Sequence, residues 1–179
     1  MRIRPLAVLV ATGCAAALCL PPSVVGASDR PPVCTIAGTG GNDVLTGTPG
    51  DDVICGRGGD DTIRGKGGGD IIGGGDGNDV LEGGKGNDGI EGDGGNDHLF
   101  GDPGDDQLDG GPGADSIVGI GGRDIVNGGD DDDRCLLTKD GASGDKIDGG
   151  TGSDTFSKDA GDTSKAVEHA AACVPPPEI

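Results

Sequence analysis

The stretch from Gly38 to Asn127 decides the fold and reads GTGGNDVLT GTPGDDVIC GRGGDDTIR GKGGGDIIG GGDGNDVLE GGKGNDGIE GDGGNDHLF GDPGDDQLD GGPGADSIV GIGGRDIVN. It consists of ten nine-residue repeats without an insertion. Positions one and four are Gly in every copy, position six is Asp, and position eight is aliphatic. A disordered Gly-rich and Asp-rich segment has no reason to keep four positions in phase over ten copies, so the pattern predicts a repetitive fold.

Each repeat predicts a turn followed by a short β-strand. Glycine permits positive φ, so the first six residues can form a tight turn. The last three residues alternate outward, inward and outward, which places only position eight in the interior. Two repeats then make one coil of 18 residues, and coils stack about 4.8 Å apart as parallel sheets. The predicted fold class is therefore all-β, a parallel β-roll or solenoid of nine-residue repeats.

The composition argues against an ordinary globular enzyme. The 179 residues include 41 Gly, 32 Asp or Glu and two Phe, with no Trp or Tyr, and the formal charge is −19. Because a polyanion with 13 scattered basic residues repels phosphates, we expect no nucleic-acid binding. The HExxH and GxSxG motifs are absent, and little chain separates the predicted leader from Gly38. We therefore expect no enzyme activity.

The position-six aspartates are the candidate metal ligands. Stacking every 18 residues places them in two columns of like charge, which would push the coils apart unless cations lie between them. Calcium accepts a mixture of carboxylate and backbone carbonyl oxygens, whereas magnesium demands stricter geometry and transition metals prefer His or Cys. The sequence therefore predicts several Ca²⁺ ions as cofactor and partner. The candidate ligands are Asp43, Asp52, Asp61, Asp70, Asp79, Asp88, Asp97, Asp106, Asp115 and Asp124.

The repeat also resembles a known family. The pattern GGxGxDxUx, where U is a large apolar residue, is most complete as GGDGNDVLE at Gly74–Glu82 and GGTGSDTFS at Gly149–Ser157. It resembles the RTX family of secreted bacterial calcium-binding β-rolls, strictly over residues 38–127 and in a degenerate form up to residue 157. The resemblance implies a right-handed roll in which each calcium ion lies between turns one coil apart.

Carried onto this sequence, the resemblance implies that pairs such as Asp43/Asp61 and Asp52/Asp70 share an ion. It adds Asp133 and Asp154 from the degenerate part as further candidates, although Asp131 replaces the position-four Gly there. Position two departs from Gly in several repeats, at Thr39, Thr48, Arg57, Lys66, Asp93, Asp102 and Ile120.

Residues 1–27 are predicted to be a cleavable signal peptide. Two Arg residues precede the apolar stretch Leu6–Leu20, and Val25–Ala27 supplies the small residues that favour cleavage before Ser28. An uncleaved anchor is the alternative, but the stretch is short for a bilayer. We expect a secreted, extracellular chain without a transmembrane segment, which keeps 11 basic and 32 acidic residues and a net charge of −21.

Four cysteines remain after cleavage, namely Cys34, Cys55, Cys135 and Cys173. An even number in an exported chain favours two disulfides, with three ways to pair them. Cys34 and Cys55 bracket the start of the repeats, and Cys135 and Cys173 bracket their end. We favour these two pairs because they would fasten the two ends of the roll.

The sequence thus divides into a leader (1–27), a short N-terminal linker or cap (28–37), the roll (38–157, degenerate over 128–157) and a C-terminal cap or tail (158–179). The expected function is extracellular calcium binding with calcium-coupled folding. The alternative is a secreted adhesive or matrix scaffold that presents one face to a cell-surface or matrix partner. The outward position-seven residues Val53, Ile71 and Ile125 hint at such a face, but Gly89 and Gln107 interrupt it.

Overall fold

The computed structural model describes residues 33–137, 144–158, 160–165 and 169–170, and of residues 135–137 and 169–170 it describes the backbone alone. The predicted signal peptide and the side chains of Cys135 and Cys173 lie outside the described residues. None of the residues described forms a helix able to cross a membrane. All regular structure in these ranges is β-strand, so the predicted fold class is confirmed.

Within the described residues, the chain winds between two parallel sheets of eight strands each, and every second strand returns to the same sheet. The first sheet contains β1 (Ile36–Ala37), β3 (Val53–Gly58), β5 (Ile71–Asp76), β7 (Gly89–Gly94), β9 (Gln107–Pro112), β11 (Ile125–Asp130), β13 (Lys146–Thr151) and β15 (Thr163–Lys165). The second contains β2 (Val44–Thr46), β4 (Thr62–Gly67), β6 (Val80–Lys85), β8 (His98–Phe100), β10 (Ser116–Val118), β12 (Arg134–Leu137), β14 (Thr155–Ser157) and β16 (His169–Ala170).

The position-eight residues form the core. In the first sheet Ile54 pairs with Ile72, which pairs with Ile90, each 18 residues from the last. Each side chain therefore stacks on its equivalent in the next coil, and the interior is a narrow column of aliphatic groups. The buried members of this cluster are Ile54, Ile63, Ile72, Leu81, Ile90, Leu99, Leu108, Ile117, Val126 and Ile147.

Several strands are longer than the sequence predicted. We expected strands of three residues, but β3 and β4 are six residues long because they continue into positions one to three of the next repeat. Arg57 and Gly58, at positions two and three, stay in parallel register with Gly75 and Asp76. The backbone hydrogen bonds of the stack thus extend into the predicted turn, and the true turn is confined to the following residues.

The region predicted as a C-terminal cap or tail adds strands to the roll. β15 pairs with β13, and β16 pairs with β14. The step between coils also changes near this end, since Ile125 pairs with Lys146, 21 residues later. Residues 138–143, which the structure does not describe, lie within this longer step.

A disulfide joins Cys34 to Cys55 with an S–S distance of 2.08 Å. This is the pair that the sequence favoured for the N-terminal end. It links the residue two before β1 to the third residue of β3, so it fastens the first strand of the first sheet to the second.

Candidate metal centre

The position-six aspartates form two columns, one at each edge of the roll. The backbone N–H of each aspartate donates to Oδ1 of the aspartate one coil later, as in Asp61 to Asp79 (2.7 Å) and Asp70 to Asp88 (2.7 Å). Twelve such hydrogen bonds connect the described residues. One column is Asp43, Asp61, Asp79, Asp97, Asp115, Asp133 and Asp154, and the other is Asp52, Asp70, Asp88, Asp106, Asp124, Asp145 and Asp162.

All twelve aspartates singled out in the sequence lie in these columns, and the structure adds Asp145 and Asp162. The N–H of Asp124 donates to Asp145 Oδ1 at 2.8 Å, which preserves the ladder across the 21-residue step. The triplet Asp145-Lys146-Ile147 keeps the Asp-x-aliphatic signature and could have been found by it. Asp162-Thr163-Ser164 lacks the aliphatic residue and carries no such signal.

The second oxygen of most carboxylates is buried without a hydrogen-bond donor. Asp79 is 0% exposed and Asp97 is 1% exposed. Since Oδ1 accepts the ladder hydrogen bond, Oδ2 carries charge with nothing to compensate it, which is costly in a buried position. Eight described aspartates have a donor-free, buried Oδ2, namely Asp61, Asp70, Asp79, Asp88, Asp97, Asp106, Asp115 and Asp133.

Burial alters the acidity of these groups. Desolvation is the largest cause and raises each pKa, the ladder hydrogen bond lowers it, and the neighbouring carboxylates of the same column raise it again. The resulting pKa is about 6 for Asp79 and Asp88, about 7 for Asp97, Asp115 and Asp133, and about 8 for Asp106. Near neutral pH each such group thus either holds a proton or needs a cation.

The position-one glycines leave room for these oxygens. A Cβ on Gly92 would lie 2.5 Å from Asp97 Oδ2 and 2.5 Å from the carbonyl oxygen of Gly110 in the next coil. Position one is therefore Gly for reasons of space, because none of the described position-one glycines has positive φ. Positive φ occurs instead mainly at positions two and four of the repeats, as in Gly75 and Gly77.

A second ladder runs in the opposite direction on the exposed side of each turn. Asn78 Oδ1 accepts from the N–H of Asn96 at 2.9 Å, and Asn96 Oδ1 accepts from the N–H of Ala114 at 2.8 Å. In this ladder the position-five side chain binds the coil that follows, whereas the position-six carboxylate binds the coil that precedes. The sequence-based prediction missed this role for position five. Most repeats have Asn or Asp there, and the others have Gly69, Ala114 or Arg123.

The donor set fits calcium. No group of three or more His, Cys, Asp or Glu side chains gathers into a metal site within the described ranges, so a site made only of side chains is absent there. The eight donor-free carboxylate oxygens instead lie along the two columns close to backbone carbonyls, as at Gly92. Hard oxygen ligands of mixed origin are what calcium accepts in flexible geometry.

The comparison with protein families agrees with this geometry. A family model for the RTX calcium-binding nonapeptide repeat matches in four copies, at residues 37–72, 64–99, 73–108 and 100–135. The comparison with curated proteins finds no match. The four family matches together span more than half of the sequence and cover eleven of the aspartates in the two columns. The chain therefore belongs to the RTX calcium-binding nonapeptide repeat family.

Proposed function

We propose that this protein is a secreted calcium-binding β-roll whose folding is coupled to calcium binding, with the position-six aspartates as carboxylate ligands. The observation that carries the proposal is the set of eight buried carboxylate oxygens that have no donor. Calcium would supply positive charge to these oxygens and allow neighbouring coils to stack.

The coupling follows from the energetics of the columns. A coil can stack only by removing charged carboxylates from water, and the like charges of the same column add to that penalty. An ion that binds the stacked state and not the unfolded chain lowers the free energy of the stacked state alone. Its binding free energy then becomes folding free energy.

An extracellular location matches this chemistry. The predicted signal peptide and the Cys34–Cys55 disulfide both favour an exported, oxidising environment. Calcium modules outside cells commonly bind with Kd of about 10⁻⁴–10⁻³ M. We therefore expect the roll to form at the calcium concentration outside the cell and to lose order where calcium is scarce.

Calcium titration of the chain, followed by far-UV circular dichroism, tests the proposal with a matched pair of variants. Asp61→Asn removes a charge from a column residue that is 2% exposed. Asp60→Asn removes the same charge one residue away, where Oδ1 accepts from the N–H of Asn78 and an Asn can still do so. We expect a β signal that grows with calcium and not with magnesium, and a midpoint that moves to higher calcium for Asp61→Asn only.

Two results would contradict the proposal. A β-rich spectrum that is the same with calcium and with chelator would show that folding does not need the ion. Equal midpoints for the two variants would show that the column carboxylate is no more a ligand than its exposed neighbour.

A further inference from the structure

In the first coil, protein groups donate hydrogen bonds to one carboxylate oxygen, Oδ2, of each position-six aspartate. Thr39 donates to Asp43 Oδ2 from its backbone N–H at 2.6 Å and from its hydroxyl at 2.8 Å. Thr48 does the same for Asp52 Oδ2, at 2.6 Å and 2.9 Å. The oxygen that lacks a donor in eight later aspartates thus has two donors in each aspartate of the first coil.

The Thr hydroxyl also closes the turn. The N–H of Gly41 donates to Thr39 Oγ1 at 3.3 Å, and the N–H of Gly50 donates to Thr48 Oγ1 at 3.2 Å. A hydroxyl has one proton to give, and the short contact to the carboxylate is where it goes. Each Thr therefore links the position-four backbone to the position-six carboxylate within its own repeat.

Among the ten strict repeats, Thr occupies position two only in the first two. Position two of the third and fourth repeats is Arg57 and Lys66, which lack a hydroxyl and adopt φ of 85° and 83°. Thr39 and Thr48 are not among the described residues with positive φ. The change of residue at position two thus coincides with a change of turn conformation and with the first donor-free carboxylates, at Asp61 and Asp70.

The same coil is fastened covalently and by side-chain hydrogen bonds. The disulfide joins Cys34 to Cys55 across β1 and β3. Beside it, Thr35 Oγ1 lies 3.0 Å from the carbonyl oxygen of Val53 and accepts from the N–H of Val53 at 2.9 Å. Cross-linking a loop of this length restricts the unfolded chain and stabilises the closed coil.

We infer that the coil from Cys34 to Cys55 is a metal-independent cap, in which Thr39 and Thr48 take the place of calcium at Asp43 and Asp52. The inference rests on the proposed function for the later coils. The calcium-binding series then begins with Asp61 and Asp70, contrary to the expectation that Asp43 and Asp52 are ligands. The preformed coil is the template on which calcium orders the following coils toward the C-terminus.

The number of calcium ions bound per oxidised full chain, measured by equilibrium dialysis at saturating calcium, tests the assignment. We expect Asp43→Asn and Asp52→Asn to bind as many ions as the wild type, and Asp79→Asn to bind fewer. A loss of ions in Asp43→Asn equal to that in Asp79→Asn would overturn the cap. If the wild type binds no calcium, the proposed function fails and the cap is judged by the second measurement.

Hydrogen exchange in calcium-free buffer at pH 7.5 is that second measurement. We expect the backbone amides of residues 35–55 to be protected while those of residues 71–118 exchange freely. The double variant Thr39→Val and Thr48→Val, which exchanges each hydroxyl for a methyl group, is expected to lose this protection. Thr62→Val, at outward position seven of β4, is the control and should keep it. Exchange of the first coil as fast as that of the middle coils, or protection unchanged in the double variant, would overturn the inference.

Discussion

The backbone N–H of Asp79 donates to Oδ1 of Asp97, eighteen residues later in the chain, at 2.8 Å. One oxygen of the Asp97 carboxylate therefore belongs to the backbone ladder, and the other is buried without a donor. The two oxygens of the Asp97 carboxylate thus play different roles. The first sets the register between coils, and the second requires a proton or a cation.

Replacement of Asp97 by Asn should have opposite effects with and without calcium. Asn keeps the Oδ1 acceptor and removes a buried charge, so we expect the Tm in chelator to rise. In saturating calcium the variant loses a ligand, so its Tm should fall below that of the wild type. Leaving a buried charged oxygen without a partner costs at least about 1–3 kcal/mol, which sets the scale of the gain in chelator. Scanning calorimetry in both buffers provides the test, and a lower Tm in both would mean that the carboxylate stabilises the metal-free roll.

The metal-free roll should become more stable as the pH falls. Burial raises the pKa of Asp79 to about 6, of Asp97 to about 7 and of Asp106 to about 8, all above the value of 3.8 expected for an exposed Asp. The folded chain therefore binds more protons than the unfolded chain in this interval. Stability is then greatest below the unfolded pKa and is lost as the pH rises through the folded values.

Thermal unfolding of the calcium-depleted chain between pH 4.5 and 8.5 checks this sign. We expect the Tm to fall steadily across the range, with most of the loss between about pH 5 and 8. In saturating calcium the slope should be weaker or reversed, because protons compete with the ion for the same oxygens. A Tm of the calcium-depleted chain that rises with pH would mean that the columns are not desolvated.

Alanine at a position-one glycine should be far more harmful than alanine elsewhere in the same strand. In β7, a Cβ on Gly92 would lie 2.5 Å from both Asp97 Oδ2 and the Gly110 carbonyl oxygen. A Cβ on Gly94 would have Asp76 Oδ1 as its nearest atom, at 3.8 Å. We expect Gly92→Ala to destabilise the roll by about 3 kcal/mol or more, as overpacked substitutions can, and Gly94→Ala to change stability by less than about 0.5 kcal/mol. Urea unfolding in calcium separates the two, and equal losses would show that the space beside Gly92 is not constrained.

Lysine at position two should be replaceable by Gly without loss of stability. Lys66 has φ of 83°, a left-handed conformation that costs a residue with a Cβ roughly 1–2 kcal/mol. Lys85, at the end of β6, is not among the described residues with positive φ. Because Gly in a strand costs about 0.5–1 kcal/mol in chain entropy, we expect Lys66→Gly to be neutral or stabilising and Lys85→Gly to be destabilising. The difference in urea midpoint between them measures the strain, and no difference would mean that Lys66 is relaxed.

The sequence predicted the columns because the period is strict. Every repeat from Gly38 to Asn127 keeps Asp two residues before the inward aliphatic side chain, so the equivalent residues must stack once the coil length is 18. The prediction weakened where the period failed. Asp145 was not predicted because extra residues place it 21 positions after Asp124. The backbone N–H of Asp124 nevertheless donates to Asp145 as in the other steps.

Other features depend on contacts that a repeat pattern does not contain. The distinction between Asp43 and Asp61 arises from Thr39, whose hydroxyl reaches one carboxylate and has no counterpart at Arg57. The sequence shows that position two varies between repeats, but it does not show which group a side chain at that position would hydrogen-bond. Position five likewise mixes residue types, so its ladder, as between Asn78 and Asn96, emerges only from the geometry of the stacked coils.

The 21-residue step from Asp124 to Asp145 has a consequence for the tolerance of the roll to insertion. The hydrogen bond across this step is 2.8 Å long, equal to that between Asp79 and Asp97 across an ordinary step. The ladder hydrogen bond therefore forms between successive coils whether 18 or 21 residues separate the two aspartates. We therefore expect a foreign peptide inserted between Leu137 and Gly144 to leave both columns intact. The roll is accordingly a candidate scaffold for the display of inserted sequences.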